Sequence, residues 1–557
     1  MRLKAAGLSV MAAAAAALVA ACGGGGGGAA GVGDTPAIQL SGVAATGLAL
    51  ANSAVDVKCA SGTGTATTNE SGSYTVTVTD GTMPCLIKVT GTANGVEVTL
   101  HSMAEGGTTS GSTTTATANV TPLTEMILAR AAGTLPANLF ENFGSATATA
   151  VTAATLSQAK TDVLAALSTL AGVDLGSIDP FTTALVAATA SNPTGGNDYD
   201  KALDAIGTKV SAAALPQVVS QIASSAGGSS APVTLDQVVA NVSKGSLAGC
   251  PQALSGKYRI VDYVGASDEV EFDFSAMEVI ASDGTFNLIA SESQACEFTA
   301  MGTAQTTIVI GPSGAGATRD AERVGYVFPV QSHALDSITG KWEFLESGIN
   351  EGNQGEHWIG KMTVAADGKV EVCDYEVMSN NFDACPIDTD EAVSIQASGG
   401  SFVLNYGDSV SRVYGFRAPN GSLTLFGSNG SGEDDAGTLR TVFVMSRPAE
   451  APQQALGLVT RYWDVLQRYN GVTLGTPPVS ADQLTVTESD SAAGTVTRTR
   501  LSDGRVDTWQ VNHPITGLRS RSGAEAFYGR AIPGLGMQVG IDAQSSAHIY
   551  SISIARP

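Results

Sequence analysis

The sequence is short of the residues from which most catalytic and metal sites are built. It has only five histidines, which lie far apart along the chain, and no Cys-x-x-Cys pair, so the usual ligand spacing of a zinc site is missing. No Gly-x-Ser-x-Gly, His-Glu-x-x-His, Walker A or EF-hand pattern occurs. The sequence therefore predicts no cofactor and indicates that the chain is not an enzyme.

Positive charge is also scarce. Lys and Arg number 29 against 52 Asp and Glu, which gives a net charge of −23 at pH 7. Such a chain repels the phosphates of nucleic acids, and we expect no nucleic-acid partner. Hydrophobic residues make up 43% of the 557 residues, which is enough for several packed domains.

The apolar run near the N terminus, Leu8–Ala21, follows Arg2 and Lys4 and is too short to span a bilayer comfortably. It leads directly into Cys22 through the letters LVAAC. This segment resembles the lipobox of bacterial lipoprotein precursors, in which the cysteine thiol is joined to diacylglycerol and becomes the mature N terminus. The resemblance implies that residues 1–21 are a signal peptide and that lipid on Cys22 anchors the chain in a membrane.

The residues after the lipobox refine this expectation. Gly23 stands where lipoproteins held at the inner membrane usually carry Asp, so the resemblance implies the bacterial outer membrane and leaves the periplasmic or cell-surface side open. Residues 22–34 are rich in glycine and predict a flexible tether.

The six remaining cysteines are an even number, as expected in an oxidising compartment. Pairing them in chain order predicts the disulfides Cys59–Cys85, Cys250–Cys296 and Cys373–Cys385. Other pairings remain open on sequence grounds.

Residues 35–118 alternate Val and Thr with a period of two, as in Tyr74–Val78, and predict a small β-sandwich. The stretches 47–57 and 67–74 of this region resemble the carboxypeptidase regulatory-like (transthyretin-like) domain. The resemblance implies an accessory sandwich of seven or eight strands, in a fold group that includes some carbohydrate binders. No zinc-peptidase motif accompanies it.

Residues 119–247 change to a helical period dominated by Ala and Leu. Thr121 precedes a proline suited to the first helical turn, and that helix is predicted to end near Gly133. Thr234 and Gln237 form a capping box for a later helix. This region therefore predicts a small α-helical module.

The last 300 or so residues read as three related β-units, at 251–335, 336–449 and 456–557. The first two open with Gly-Lys-Tyr and Gly-Lys-Trp, and each has an Asp-Gly turn 27 residues after that glycine, at 283–284 and 367–368. The predicted fold is thus multi-domain and mainly β, with an N-terminal sandwich, a helical module and repeated antiparallel barrels or sandwiches.

Binding-site candidates in these units are few. If a concave pocket exists, large aromatic side chains are expected to line it. We name as candidates Trp342, Trp358, Tyr414 and Trp463. Oxygen ligands for calcium are conceivable in one acidic loop, although their spacing matches no known calcium loop. These carboxylates are Asp383, Asp388, Asp390 and Glu391.

Two function classes fit this sequence best. The first is a lipid-anchored envelope protein with a structural, adhesive or display role, whose partner is another envelope protein. The second is a lipoprotein that binds a glycan or another small ligand in its C-terminal β-units. A hydrolase is the least favoured reading, because it requires convergent carboxylates that a linear sequence does not reveal.

Overall fold

A computed structural model describes most of the chain after residue 36. Residues 1–36, including Cys22 and the tether, lie outside it. The described residues are 37–93, 95–226, 234–262, 267–302, 305–321, 323–349, 355–375, 377, 381–387, 392–407, 409–429, 440–469, 474–475, 479–521, 527–542 and 548–557.

The fold is multi-domain and mainly β, as predicted. An eight-stranded N-terminal region is followed by six helices and then by three barrels. No helix in the described part of the chain is both long and apolar enough to cross a bilayer.

Two four-stranded sheets form the N-terminal sandwich, in the orders β4-β1-β8-β7 and β3-β2-β5-β6. Their alternating Val and Leu side chains point between the sheets, while Thr and charged residues point outward, because successive side chains of a strand face opposite sides. The strands are β1 (Ala37–Val43), β2 (Ala54–Ser61), β3 (Thr63–Thr67), β4 (Ser73–Thr79), β5 (Thr82–Ala93), β6 (Val96–Ala104), β7 (Thr108–Ser110) and β8 (Thr113–Thr117).

The helical module contains both helices predicted from caps. Thr121 caps the first helix, and Gly133 ends it in the left-handed conformation that favours glycine. Thr234 and Gln237 form the expected capping box. The helices are α1 (Pro122–Ala132), α2 (Pro136–Glu141), α3 (Ala153–Ala171), α4 (Asp198–Gly207), α5 (Leu215–Ser224) and α6 (Leu235–Lys244).

The sandwich and the helices share one hydrophobic core. Helix α1 lies at its centre, and Leu123, Met126, Ile127 and Leu128 of this helix are fully buried. A stripe of apolar residues on one face would suffice for a helix lying on a sheet. Here α1 also packs against α3 and α5, so its other faces are buried as well.

A short hairpin, β9 (Ser246–Leu247) and β10 (Cys250–Leu254), leads into barrel 1, a closed barrel of eight antiparallel strands. These strands are β11 (Gly256–Asp262), β12 (Ser267–Asp273), β13 (Glu278–Ala281), β14 (Gly284–Ala290), β15 (Glu297–Met301), β16 (Gln305–Ile310), β17 (Gly316–Arg319) and β18 (Val324–Pro329).

Barrel 2 is closed by the pairing of its first strand with its last. Its eight strands are β19 (Gly340–Ile349), β20 (Gly355–Val364), β21 (Lys369–Tyr375), β22 (Val393–Ser398), β23 (Ser401–Tyr406), β24 (Ser409–Arg417), β25 (Leu423–Asn429) and β26 (Arg440–Ser446).

Barrel 3 closes in the same way, through pairing of its first and last strands, and a short extra strand pairs with the end of the first. Its strands are β27 (Val459–Tyr469), β28 (Leu474–Gly475), β29 (Ser480–Asp490), β30 (Thr495–Arg500), β31 (Val506–Val511), β32 (Leu518–Arg521), β33 (Phe527–Ile532), β34 (Met537–Asp542) and β35 (Ile549–Ala555).

The three barrels pack on one another through their outer surfaces. Tyr326 and Phe328 of barrel 1 stack against Phe426 of barrel 2, with ring centroids 4.7 and 4.6 Å apart. Glu343 of barrel 2 and Arg530 of barrel 3 form a buried ion pair, with Oε2 and Nη1 2.6 Å apart. One continuous core therefore runs between the barrels, and much of their outer surface is apolar.

Candidate functional site

The interiors of barrels 1 and 2 are packed with large side chains. Phe272 contacts Tyr258 and Phe298 inside barrel 1, at ring-centroid distances of 4.9 and 5.4 Å. Trp342 and Phe402 belong to the separate core that fills barrel 2. An eight-stranded barrel is just wide enough either to be filled in this way or to hold one small ligand.

Barrel 3 has a different interior, which contains a cavity of about 730 Å³. Small residues face inward on three neighbouring strands; Gln538 and Phe527 pack over the two glycines among them, and Ser551 lines the cavity. The small residues lie side by side across β33, β34 and β35: Gly529 pairs with Arg519 and Gly540, and Gly540 pairs in turn with Ser551. The volume lies in the range of small-molecule pockets.

The first strand of barrel 3 shows why the interior is polar. Tyr462, Asp464 and Leu466 line the cavity. The alternate residues Trp463 and Val465 point outward and are fully buried in the core between the barrels. The most apolar face of this strand is therefore its outer face.

The cavity carries an excess of positive charge in a strongly acidic protein. Among the residues that the structure describes, six arginines and three aspartates line it. They are Arg468, Arg498, Arg500, Arg505, Arg519, Arg521, Asp464, Asp507 and Asp542.

One carboxylate is shared between two of these arginines. Asp507 Oδ1 accepts hydrogen bonds from Arg505 Nε and Arg521 Nη1, each at 3.0 Å. The single negative charge of Asp507 is thus already engaged by two guanidinium groups.

Arg498 has no such counter-ion. Its side chain is only 7% exposed, and its guanidinium carbon lies 4.7 Å from the centre of the Trp509 ring. Within the part of the chain that the structure describes, this guanidinium makes no hydrogen bond and no ion pair. Burial, followed by the positive charge of Arg519, lowers the pKa of Arg498 to about 10.

Arg519 lies beside Arg498, and the acceptors of its hydrogen bonds among the described residues are neutral. Its Nη2 donates to the Pro452 carbonyl oxygen at 2.8 Å, and its Nη1 donates to Gln538 Oε1 at 3.3 Å. Burial lowers the pKa of Arg519 as well. Its Nε is buried without an acceptor among the described residues, and so is Trp509 Nε1.

Apolar side chains complete the lining. Phe527, Leu466, Ile532 and Met537 face the same space as the arginines. The Phe527 ring meets the Trp509 ring edge to face, with centroids 6.0 Å apart. The cavity therefore combines aromatic and aliphatic walls with several hydrogen-bond donors.

Asp464 is one of the three aspartates named above, and Asp542, at 2% exposure, is more buried than it. Burial raises the pKa of Asp464, and a hydrogen bond from the Ser553 hydroxyl acts in the opposite direction. Tyr462, which also lines the cavity, has its pKa raised by burial and by the charges of Asp464 and Asp482. Burial thus favours the neutral form of both groups.

The four aromatic candidates named from the sequence do not line one pocket. Trp342 lies in the filled core of barrel 2, and Trp358 is half-buried on the inner face of the same barrel. Tyr414 lies on the outer surface of barrel 2 beneath Arg259 of barrel 1, and Trp463 donates to Glu297 Oε2 between barrels 1 and 3. The structure therefore does not bring the four together, and Tyr414 and Trp463 pack between barrels.

Only one of the four calcium-ligand candidates lies within the described residues. Asp383 is described, whereas Asp388, Asp390 and Glu391 lie outside the described residues, as does Cys22. Among the residues that the structure describes, no group of three or more His, Cys, Asp or Glu is arranged to hold a metal ion.

The cysteines pair in chain order. The structure contains the disulfides Cys59–Cys85, Cys250–Cys296 and Cys373–Cys385. The first joins β2 to β5 within one sheet, the second ties the β9–β10 hairpin to barrel 1, and the third closes a loop after β21.

Sequence reasoning missed the arginines of barrel 3, although they leave a signal. Residues 497–500 read Thr-Arg-Thr-Arg, and residues 519–521 read Arg-Ser-Arg. Alternation with a period of two places the arginines of each run on one face of a strand. The pattern does not say whether that face is inside or outside.

No protein-family description matches this chain, and no curated protein does. Solved structures show only distant likenesses. A DUF3598-family protein of unknown function from Nostoc punctiforme is 11% identical, with a TM-score of 0.14, over 40% of this chain and 96% of that one. A transferrin binding protein B double mutant from Haemophilus parasuis is 9% identical, with a TM-score of 0.20, over 52% and 65%. Kievitone hydratase from Nectria haematococca is 8% identical, with a TM-score of 0.13, over 40% and 90%. TM-scores this low carry no argument about function.

Proposed function

We propose that this chain is a lipid-anchored protein of the bacterial outer membrane that binds a small molecule inside barrel 3. The observation that carries the proposal is the cavity of about 730 Å³ in barrel 3, beside two barrels whose interiors are filled. A barrel interior is costly to leave unfilled, since packing contacts are lost around the void. A ligand would supply those contacts.

In this proposal the other modules act as a framework. The sandwich and helices share one core, and the barrels share another. They hold barrel 3 away from the lipid on Cys22, and no catalytic step is proposed. A purely structural or display role is the second candidate, and the same extensive cores favour it, because they make the modules well packed without any ligand.

A lumen-filling variant tests the binding proposal. Residues 22–557 with Cys22→Ser, exported through a cleavable signal, keep every described residue and need no detergent. N-phenyl-1-naphthylamine, whose fluorescence rises in apolar surroundings, should bind at one saturable site per chain. Ser551→Phe places a ring in the cavity and should weaken that binding by about tenfold or more, the effect of losing roughly 1.4 kcal/mol.

The matched control is Gln510→Phe, since Gln510 is exposed on the outer face of the same barrel. This variant should bind the probe as the unmodified chain does. Equal binding by the Ser551→Phe variant, or absence of saturable binding by both this probe and its sulfonated analogue 8-anilinonaphthalene-1-sulfonate, would refute ligand binding in barrel 3 and leave the structural role.

The anchor is tested separately. Mass spectrometry of the native protein should find a diacylglycerol thioether on Cys22 at the mature N terminus. An unmodified terminus, or cleavage at another bond, would refute lipid anchoring. Protease treatment of intact cells then decides the side of the membrane, because digestion means surface display and protection means the periplasmic side.

A further inference from the structure

We infer that the ligand of barrel 3 is an amphipathic oxyanion, namely an organic carboxylate, sulfonate or phosphate with an apolar, ring-sized body. This inference rests on the proposed function and names the chemical class of its ligand. It is carried by the unpaired Arg498 guanidinium and by the donors around it, together with the apolar walls.

The first step of the argument is the charge on Arg498. A buried charge is strongly unfavourable unless it is paired or fully hydrogen-bonded. Arg498 is buried, lies next to a second arginine and makes no polar contact with the described residues. Among the described residues it lies against the Trp509 ring, and the Asp507 carboxylate, which raises its pKa from a distance, already accepts hydrogen bonds from Arg505 and Arg521. An anion entering the cavity would pair this charge.

The second step is the kind of polar group that is left over. The buried unpartnered atoms at this wall are Arg498 Nε, Arg519 Nε and Trp509 Nε1, all of which are hydrogen-bond donors. A ligand that satisfies them must present several acceptors at one end. Oxyanions do so, and guanidinium groups bind them through charge-assisted hydrogen bonds.

The third step is the remainder of the cavity. An inorganic anion would occupy a small part of the 730 Å³ and would leave the space beside Phe527, Ile532 and Met537 unfilled. A planar or aliphatic body attached to the anion fills this space and stacks near Trp509 and Phe527. The ligand is therefore expected to be amphipathic rather than a free ion.

Two probes that differ only in charge test the inference. 8-Anilinonaphthalene-1-sulfonate and N-phenyl-1-naphthylamine share one ring system, and only the first carries a sulfonate. In the Cys22→Ser chain the sulfonate should bind at least about tenfold more tightly than the neutral probe, as one added charge-assisted hydrogen bond predicts. Ser551→Phe should weaken the binding of both.

Arginine variants locate the preference. Arg498→Met should reduce sulfonate binding by about tenfold or more and leave neutral-probe binding within about twofold. Arg498→Lys, which keeps a positive charge, should retain part of the preference. Arg461→Met removes one charge from the exposed outer surface of barrel 3 and should change neither probe.

Competition with inorganic salts tests whether the site prefers an amphipathic anion to a simple inorganic anion. Inorganic sulfate and phosphate at millimolar concentration should displace the sulfonate probe only weakly. Strong displacement by either salt would overturn the amphipathic ligand and leave a simple anion site. Equal binding of the two probes, both blocked by Ser551→Phe, would overturn the anion preference while the binding function stands. Absence of any binding would refute the proposed function itself.

Discussion

Removing the buried positive charge of Arg498 should stabilise the ligand-free protein. Burial and the neighbouring Arg519 lower the pKa of Arg498 to about 10, well below its ordinary value. One pKa unit corresponds to about 1.4 kcal/mol, so the charged form is disfavoured by up to about 3 kcal/mol relative to the unfolded chain. Arg498→Met removes this cost and keeps a side chain of similar length.

A smaller opposing loss has to be subtracted. The Arg498 guanidinium lies 4.7 Å from the centre of the Trp509 ring. A desolvated cation–π contact of this kind contributes about 1 to 2 kcal/mol. The expected net gain is therefore about 1 to 2 kcal/mol in the free energy of unfolding.

Because the protein has several domains, a single unfolding midpoint would mix their transitions. Hydrogen–deuterium exchange of the β30 and β31 amides reports barrel 3 directly, and their opening free energy should rise in the Arg498→Met variant. The control Arg461→Met, on the exposed surface, should change it by less than about 0.5 kcal/mol. A loss of 1 kcal/mol or more in Arg498→Met would refute the reasoning, since Arg498 would then have a structural partner.

Three further predictions concern stability. Burial, together with the charge of the neighbouring His548, lowers the pKa of His357 to about 3. The unfolded chain therefore takes up this proton first as pH falls, and about 2 kcal/mol of stability should be lost between pH 7 and pH 5; thermal unfolding of the His357→Gln variant should show a weaker pH dependence. Glu343→Gln leaves the buried Arg530 without its charged partner and should cost about 3 kcal/mol in denaturant unfolding, whereas an unchanged midpoint would mean that the pair is unimportant. Replacing Cys59 and Cys85 by serine opens a loop with a sequence separation of 26 and should cost about 3 kcal/mol, seen as a lower melting temperature of the N-terminal region.

Local signals predicted much of the fold, because each depends on a few neighbouring residues. Thr121 with its following proline and Gly133 predicted both ends of the first helix, and the structure has α1 at Pro122–Ala132. The capping box at Thr234 predicted α6 in the same way. Caps satisfy backbone groups within one turn, so they can be read without knowledge of the tertiary fold.

The repeated Asp-Gly turns led to the right class of fold, although the two turns do not occupy equivalent positions in barrels 1 and 2. The turn at 283–284 joins the third and fourth strands of barrel 1, whereas the turn at 367–368 joins the second and third strands of barrel 2. The first two strands of barrel 2 have 10 residues each, against 7 each in barrel 1. The two equally spaced turns therefore belong to different hairpins of their barrels. The prediction of barrels was still right, because it also rested on alternating strands separated by tight turns.

The site was missed because period-two patterns give the two faces of a strand but not which face is inside. In an isolated barrel the apolar face is the inner one. Here the barrels bury their outer surfaces against one another, so Trp463 and Val465 face outward in β27, and Asp464 faces the cavity. An aromatic residue at a strand start was thus a poor marker of the lumen, and alternating arginines were the better one. Deciding between the two required knowing which surface of barrel 3 meets its neighbours, and that is a property of the assembled chain rather than of any single strand.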